Sequence, residues 1–147
     1  MEKSVESGLN GSGLFKGPIR MSKLTKRILA NLKKHKFPKT SPYYAMAYAY
    51  SVAEINVQHG IVVTSPTLGS AGIEPAVMYY CRHNLGYSEQ KIIDMLAVGG
   101  IIGILFKRNG NVAGAMGGCQ AECGCACTMT AAAYAYGRGA NTDEIEA

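Results

Sequence analysis

The sequence predicts an all-α fold, built from small-residue-rich helices joined by two glycine-rich loops. Three observations carry this reading. No segment alternates apolar and polar residues for more than four positions, so no half-buried strand is indicated. Each candidate helix is bracketed by recognisable start and stop residues. Glycine reaches 18 of 147 residues, and two glycine-rich loops each precede a helix. The chain is long enough for one domain with a real core. With 48% hydrophobic and 17% charged residues, wholesale disorder is excluded.

Residues 1–18 read as loop, because Ser7-Gly8-Leu9-Asn10-Gly11-Ser12-Gly13 and Gly17-Pro18 are turn chemistry. A basic helix follows from about Ser22 to Lys36. Leu24, Ile28 and Leu32 share one face at four-residue spacing, and Phe37-Pro38 ends the helix. Ser41-Pro42 is a helix start, with a capping hydroxyl before a first-turn proline. That helix runs to about His59, with Gly60 as the left-handed cap. Ile61-Val62-Val63-Thr64 is a short extended run. Residues 65–72 form the first small-residue loop.

Glu74-Pro75 opens a helix ending near Asn84 to Gly86. Ser88 caps a long helix through Lys107 and Arg108, cations that suit its negative end. Asn109-Gly110 stops it. Gly114 to Gly118 is the second glycine-rich loop, and an Ala- and Cys-rich helix follows from about Cys119 to Tyr136. Gly137 and Gly139 terminate it. Asn141 or Thr142 caps a last helix with acids in its first turn, which the final residue, Ala147, cuts after about one turn. The chain divides into a basic loop and helix, 1–40, and a body, 41–147.

The charge is uneven. Residues 1–39 hold ten Lys and Arg against Glu2 and Glu6, a net of +8, while the rest of the chain nets −3. Such an arm is most simply a solvated helix face. It lacks the interleaved aromatics of a nucleic-acid binder, so no nucleic-acid partner is expected. The apolar run from Ile92 to Phe106 is broken by three glycines and is too short to span a bilayer. The first residues are charged, unlike a secretory leader. A cytoplasmic protein without a membrane partner is expected.

Helix N-termini behind the two glycine-rich loops offer free N–H groups and a positive dipole end, a natural carboxylate seat. Plain turns would look the same. Four of the five cysteines crowd into 119–127, at spacings that match neither a zinc pair nor a ferredoxin run. On a helix Cys119, Cys123 and Cys127 share a face, and Cys125 points the other way. Cys123, Cys125 and Cys127 read as small buried hydrophobes, as does Cys81. Cys119 differs: it follows Gly117-Gly118 at a loop–helix junction, where a thiolate is favoured. It is the best candidate ligand or nucleophile.

Gly114-Ala115-Met116-Gly117-Gly118-Cys119-Gln120-Ala121-Glu122-Cys123-Gly124 resembles the signature of the iron–sulfur L-serine dehydratase catalytic (alpha) chain. Residues 53–77, AEINVQHGIVVTSPTLGSAGIEPAV, resemble the same family's segment around a Pro-Thr-x-Gly-x-x-Gly loop, and Ser7-Gly8-Leu9-Asn10-Gly11 resembles its opening. The resemblance runs in register over nearly the whole chain. It implies deamination of L-serine to pyruvate and ammonia on a [4Fe–4S] cluster, without pyridoxal phosphate. It places the first cluster cysteine at Cys119, a site-lining loop at Thr67, Gly69, Ser70 and Gly72, and substrate or supporting roles at Gln120 and Glu122.

The family's second and third cluster cysteines, around a Cys-Asp-Pro motif and beyond, have no counterpart here. Met116 also departs from the acidic or small residue expected. The resemblance therefore implies a front portion of the catalytic chain, inactive alone. Its implied partners are the remainder of that chain, a beta chain or regulatory domain, L-serine, and further copies in a homo-oligomer. The competing readings are a non-catalytic scaffold on the same frame and a related L-cysteine desulfidase-like lyase.

Overall fold

The computed structural model describes residues 1–15 and 20–146. The helices are α1 (Glu2–Asn10), α2 (Thr25–Lys34), α3 (Tyr43–Val57), α4 (Ile73–His83), α5 (Glu89–Asn109), α6 (Gly114–Cys119), α7 (Cys125–Gly137) and α8 (Thr142–Glu146). A single wide π turn, Gln120–Gly124, joins α6 to α7. Among the described residues the β pairing is limited to one isolated bridge, Leu14 with Ser22. The all-α expectation holds, and Ile61 to Thr64 stays irregular.

The core gathers Val5 of α1, Tyr48 and Val52 of α3, Ala76, Met78, Tyr80 and Cys81 of α4, Met95 of α5 and Ala133 of α7. Burying the Val and Met side chains contributes roughly 1.5–3 kcal/mol each, and the alanines less. The close approaches are made by small residues. Gly99 and Gly103 of α5 receive Met129 of α7, and Gly137 of α7 receives Met95 of α5. A Cβ on Gly103 would stand 2.8 Å from Met129 Cε, and one on Gly137 2.7 Å from Met95 Sδ. Glycine thus sets how near the two helices can lie.

The amino terminus differs from the sequence reading. Residues 2–10 are helix rather than loop, while Gly17-Pro18 lies outside the described residues. Val5 and Leu9 stand four apart and face the core, where Val5 is fully buried. Gly8 lets the α1 backbone rest on the backbone of Ser51. Packing of an apolar face outweighs a Ser- and Gly-rich composition here.

The helix ends also depart in detail. Ser88 caps α5 as expected, accepting from Lys91 N–H at 3.2 Å. Asn141 does the same for α8: its Oδ1 accepts from Glu144 N–H at 3.0 Å, and the Glu144 carboxylate reaches back to Asn141 N–H at 2.8 Å. The Ser41 hydroxyl caps nothing, because α3 starts one residue later than expected, at Tyr43, and Tyr44 N–H takes the Ser41 carbonyl instead. His59, not Gly60, adopts the left-handed conformation, with φ of 58°. Gly60 N–H then closes on Ile55 O and His59 N–H on Asn56 O, both at 2.9 Å, a Schellman ending shifted by one residue.

The α2 start is held from outside. Glu54 of α3 is buried, and its Oε1 accepts from Leu24 N–H at 2.6 Å and Thr25 N–H at 3.0 Å. A carboxylate at a helix N-terminus satisfies free donors and meets the positive dipole end.

Candidate active site

The first glycine-rich loop is held from beneath by α4. Glu74, in the first turn of α4, is buried and bonds the Ser65 hydroxyl. Ser70, also buried, donates its hydroxyl to the Ser65 carbonyl at 3.0 Å and stands 3.1 Å from Thr67 Oγ1. Asn56 of α3 donates to Leu68 O at 3.0 Å. These bonds leave the Gly69 N–H and the Thr67 hydroxyl facing outward. Gly72 brings the loop close to α3, where a Cβ would stand 2.9 Å from Ala49 O.

The second glycine-rich segment is not an open loop. Residues 114–117 form a helical turn closed by Gly117 N–H on Ala113 O at 3.0 Å. Gly118 alone breaks it, with φ of 69° and ψ of −168°, a conformation that glycine adopts without a Cβ clash. Cys119 therefore does sit at a junction where a helix restarts. The helix from Cys119 onward is not continuous α-helix as expected; it opens with the π turn before α7.

A carboxylate does reach this loop, but not at the helix N-terminus where a seat was expected: the chain's own Glu122 lies against loop residues ahead of α4. Gly69 N–H donates to Glu122 Oε1 at 3.0 Å, and the Thr67 hydroxyl donates to the same oxygen. A Cβ on Gly69 would lie 2.5 Å from Oε1, and one on Gly114 2.6 Å from Oε2. The two glycine-rich segments thus meet across this one carboxylate, and both need glycine to admit it. Ser70 is turned into the loop, and Gln120 is exposed on the π turn.

Beside the seat lies a cavity of about 380 Å³ between α3 and the loop. Ala53 and Asn56 line one wall, Leu68, Gly69 and Gly72 another, and Cys123 a third. The Cys123 thiol is pushed up by its hydrogen bond with Cys119, and by burial and the charges of Cys119, Glu122 and Cys127. Cys119 is thus a neighbour of Cys123, the cysteine that lines the cavity.

The other cysteines divide. Cys125 is buried and its thiol is pushed up by burial, as a core residue should be. Cys127 is exposed and Cys123 partly so, against the expectation that both are core filler. Cys81 is fully buried, and burial pushes its thiol up to about 11.

Among the described residues no three His, Cys, Asp or Glu side chains converge on a metal position. Cys119 and Cys123 are two neighbouring thiols, fewer than a full ligand set among the described residues. Sequence reasoning missed Ser65, Glu74 and Asn56 as the loop's supports. Glu74 stood beside Pro75 and read only as the opening of a helix. No helix among the described residues is long and apolar enough to cross a membrane.

Comparison with known proteins bears on this arrangement. The family model described as serine dehydratase alpha chain matches residues 1–147. The L-serine dehydratase of Streptomyces coelicolor is 35% identical over 148 residues, which cover 99% of this chain and 32% of that protein. The L-serine dehydratase of Helicobacter pylori (strain 26695) is 34% identical over 131 residues, covering 84% and 29%. The probable L-serine dehydratase alpha chain of Bacillus subtilis is 34% identical over 80 residues, covering 54% and 27%. The chain spans about a third or less of the length of these relatives. With the match running from the buried helix α1 through both glycine-rich segments to α8, the chain belongs to the serine dehydratase alpha chain family.

Proposed function

We propose that this chain is the front portion of an iron–sulfur L-serine dehydratase, which converts L-serine to pyruvate and ammonia by β-elimination. The observation that carries the reading is one juxtaposition: loop donors that hold a carboxylate, a small cavity beside them, and Cys123 on the cavity wall with Cys119 as its neighbour. Residues 41–147 carry this opening, and the basic segment 1–40 supports it through the α2 and α1 contacts with α3.

Cys119 would hold one corner of a [4Fe–4S] cluster, with further ligands from the rest of a longer chain. The cluster, when bound, supplies Lewis acidity toward the departing hydroxyl. The chain's own groups do the positioning. Gly69 N–H and the Thr67 hydroxyl are aimed at a carboxylate and fix where the α-carbon lies relative to Cys119. Ser70 and Gly72 hold the loop in that shape. Glu122 and Gln120 flank the opening from the signature turn. The whole enzyme works in the cytoplasm as a homo-oligomer, with the remaining alpha-chain segment or a beta chain covering the opening.

The test is made in the complete enzyme. Cys119→Ala removes reconstituted iron and activity, whereas Cys125→Ala keeps both. Full iron in the Cys119 variant overturns the assignment.

A further inference from the structure

We infer that the Glu122 side chain is an internal stand-in for the carboxylate of an incoming amino acid, and that ligand binding exchanges one carboxylate for the other. This rests on the reading of the opening as a substrate site and names how that site is regulated. Glu122 Oε1 takes both outward donors of the first loop, the Gly69 N–H and the Thr67 hydroxyl. Its Oε2 fills the space left by the missing Cβ of Gly114. A free carboxylate has the same charge, the same planar pair of oxygens and the same need for two donors. It can satisfy this seat only when Glu122 leaves.

Leaving is easy to picture from the surroundings. Among the described residues no Lys, Arg or His pairs with Glu122, so its hold is two hydrogen bonds from neutral groups. The side chain is half-buried rather than sealed, and it has three rotatable bonds. The cavity of about 380 Å³ shares Gly69 with the seat and gives the body of the ligand somewhere to lie. That volume is within the range of roughly 300–1,000 Å³ usual for small-molecule sites. The apparent affinity is then lowered by the fraction of molecules in which Glu122 holds the seat.

Acetate is the probe, and the Gly69 amide resonance in the 147-residue chain is the readout. In Glu122→Ala the Gly69 resonance moves on removal of the side chain, and acetate restores it toward the wild-type position at concentrations at least tenfold below those needed to perturb the wild type. Glu122→Gln keeps length and an acceptor without the charge, and falls between the two. If Glu122→Ala loses its helical circular dichroism, the Gln variant decides alone. Equal acetate responses in the variant and the wild type overturn the exchange, and so does a chloride response of the same size. No iron enters this measurement. A failure here leaves the Cys119 assignment standing, and retained iron in Cys119→Ala leaves the exchange standing.

Discussion

Glu74 is a carboxylate set into the core, where Gly99 alone makes room for its Oε1; a Cβ there would stand 2.6 Å away. Its pKa is raised above the ordinary 4.5 by burial, and the Ser65 hydrogen bond offsets only part of this. A group whose folded pKa is raised stabilises the fold below its unfolded pKa, and that contribution is lost as pH rises through the folded value. Glu74→Gln should therefore gain stability relative to the parent as pH climbs from 4.5 toward neutrality. Urea unfolding across that pH series measures it, and parallel curves for the two proteins would rule out the assignment. At this scale the sequence was legible where chemistry is local. Cys119 stood out from the glycine before it, and Glu122 from its place in the signature. Glu74 was illegible because its partner, Ser65, lies nine residues back and its ceiling, Gly99, on another helix.

Helix identity was largely written in local pattern. The α5 cap, the α8 capping box and the proline-led stop of α2 each need only neighbouring residues. The α1 helix did not announce itself, because its stability comes from α3. Two substitutions separate these cases. Gly8→Ala drives a methyl group into the Ser51 backbone, which cannot step aside, and should destabilise by about 1–3 kcal/mol. Gly100→Ala meets nothing within 4 Å on α5 and should stabilise by about 1 kcal/mol. Thermal unfolding of the pair checks both signs. The helix ends offer a third case. Lys36 and His59 hold positive φ of 53° and 58° in Schellman endings, where Gly139 does the same work at the end of α7. Lys36→Gly and His59→Gly should each stabilise by about 0.5–1 kcal/mol.

Seen whole, the molecule leaves one helix half-dressed. Ile93, Ile101, Ile104 and Leu105 of α5 are 51%, 59%, 65% and 47% exposed, a row of apolar side chains facing solvent. The 147-residue chain should bind a hydrophobic dye, and Ile101→Lys with Ile104→Lys should weaken that binding without lowering the melting temperature. An unchanged dye signal would show that the fluorescence comes from elsewhere. The overall architecture was legible because helices declare themselves over short stretches. The site was legible only in halves: two loops and a thiol, with no hint that a side chain from one half fills the other. That closure depends on the π turn, which no periodicity announces.

The burial of Val5 beside Val52 and Met78 carries a consequence for how the protein is made. During synthesis α1 is made before α3 and α4 and must wait for them. At 5–20 residues per second, α3 arrives about 2–10 s later, and α4 later still. Throughout that interval α1 stays open to chaperones and proteases. A bulky insertion between α1 and α3 would lengthen that wait.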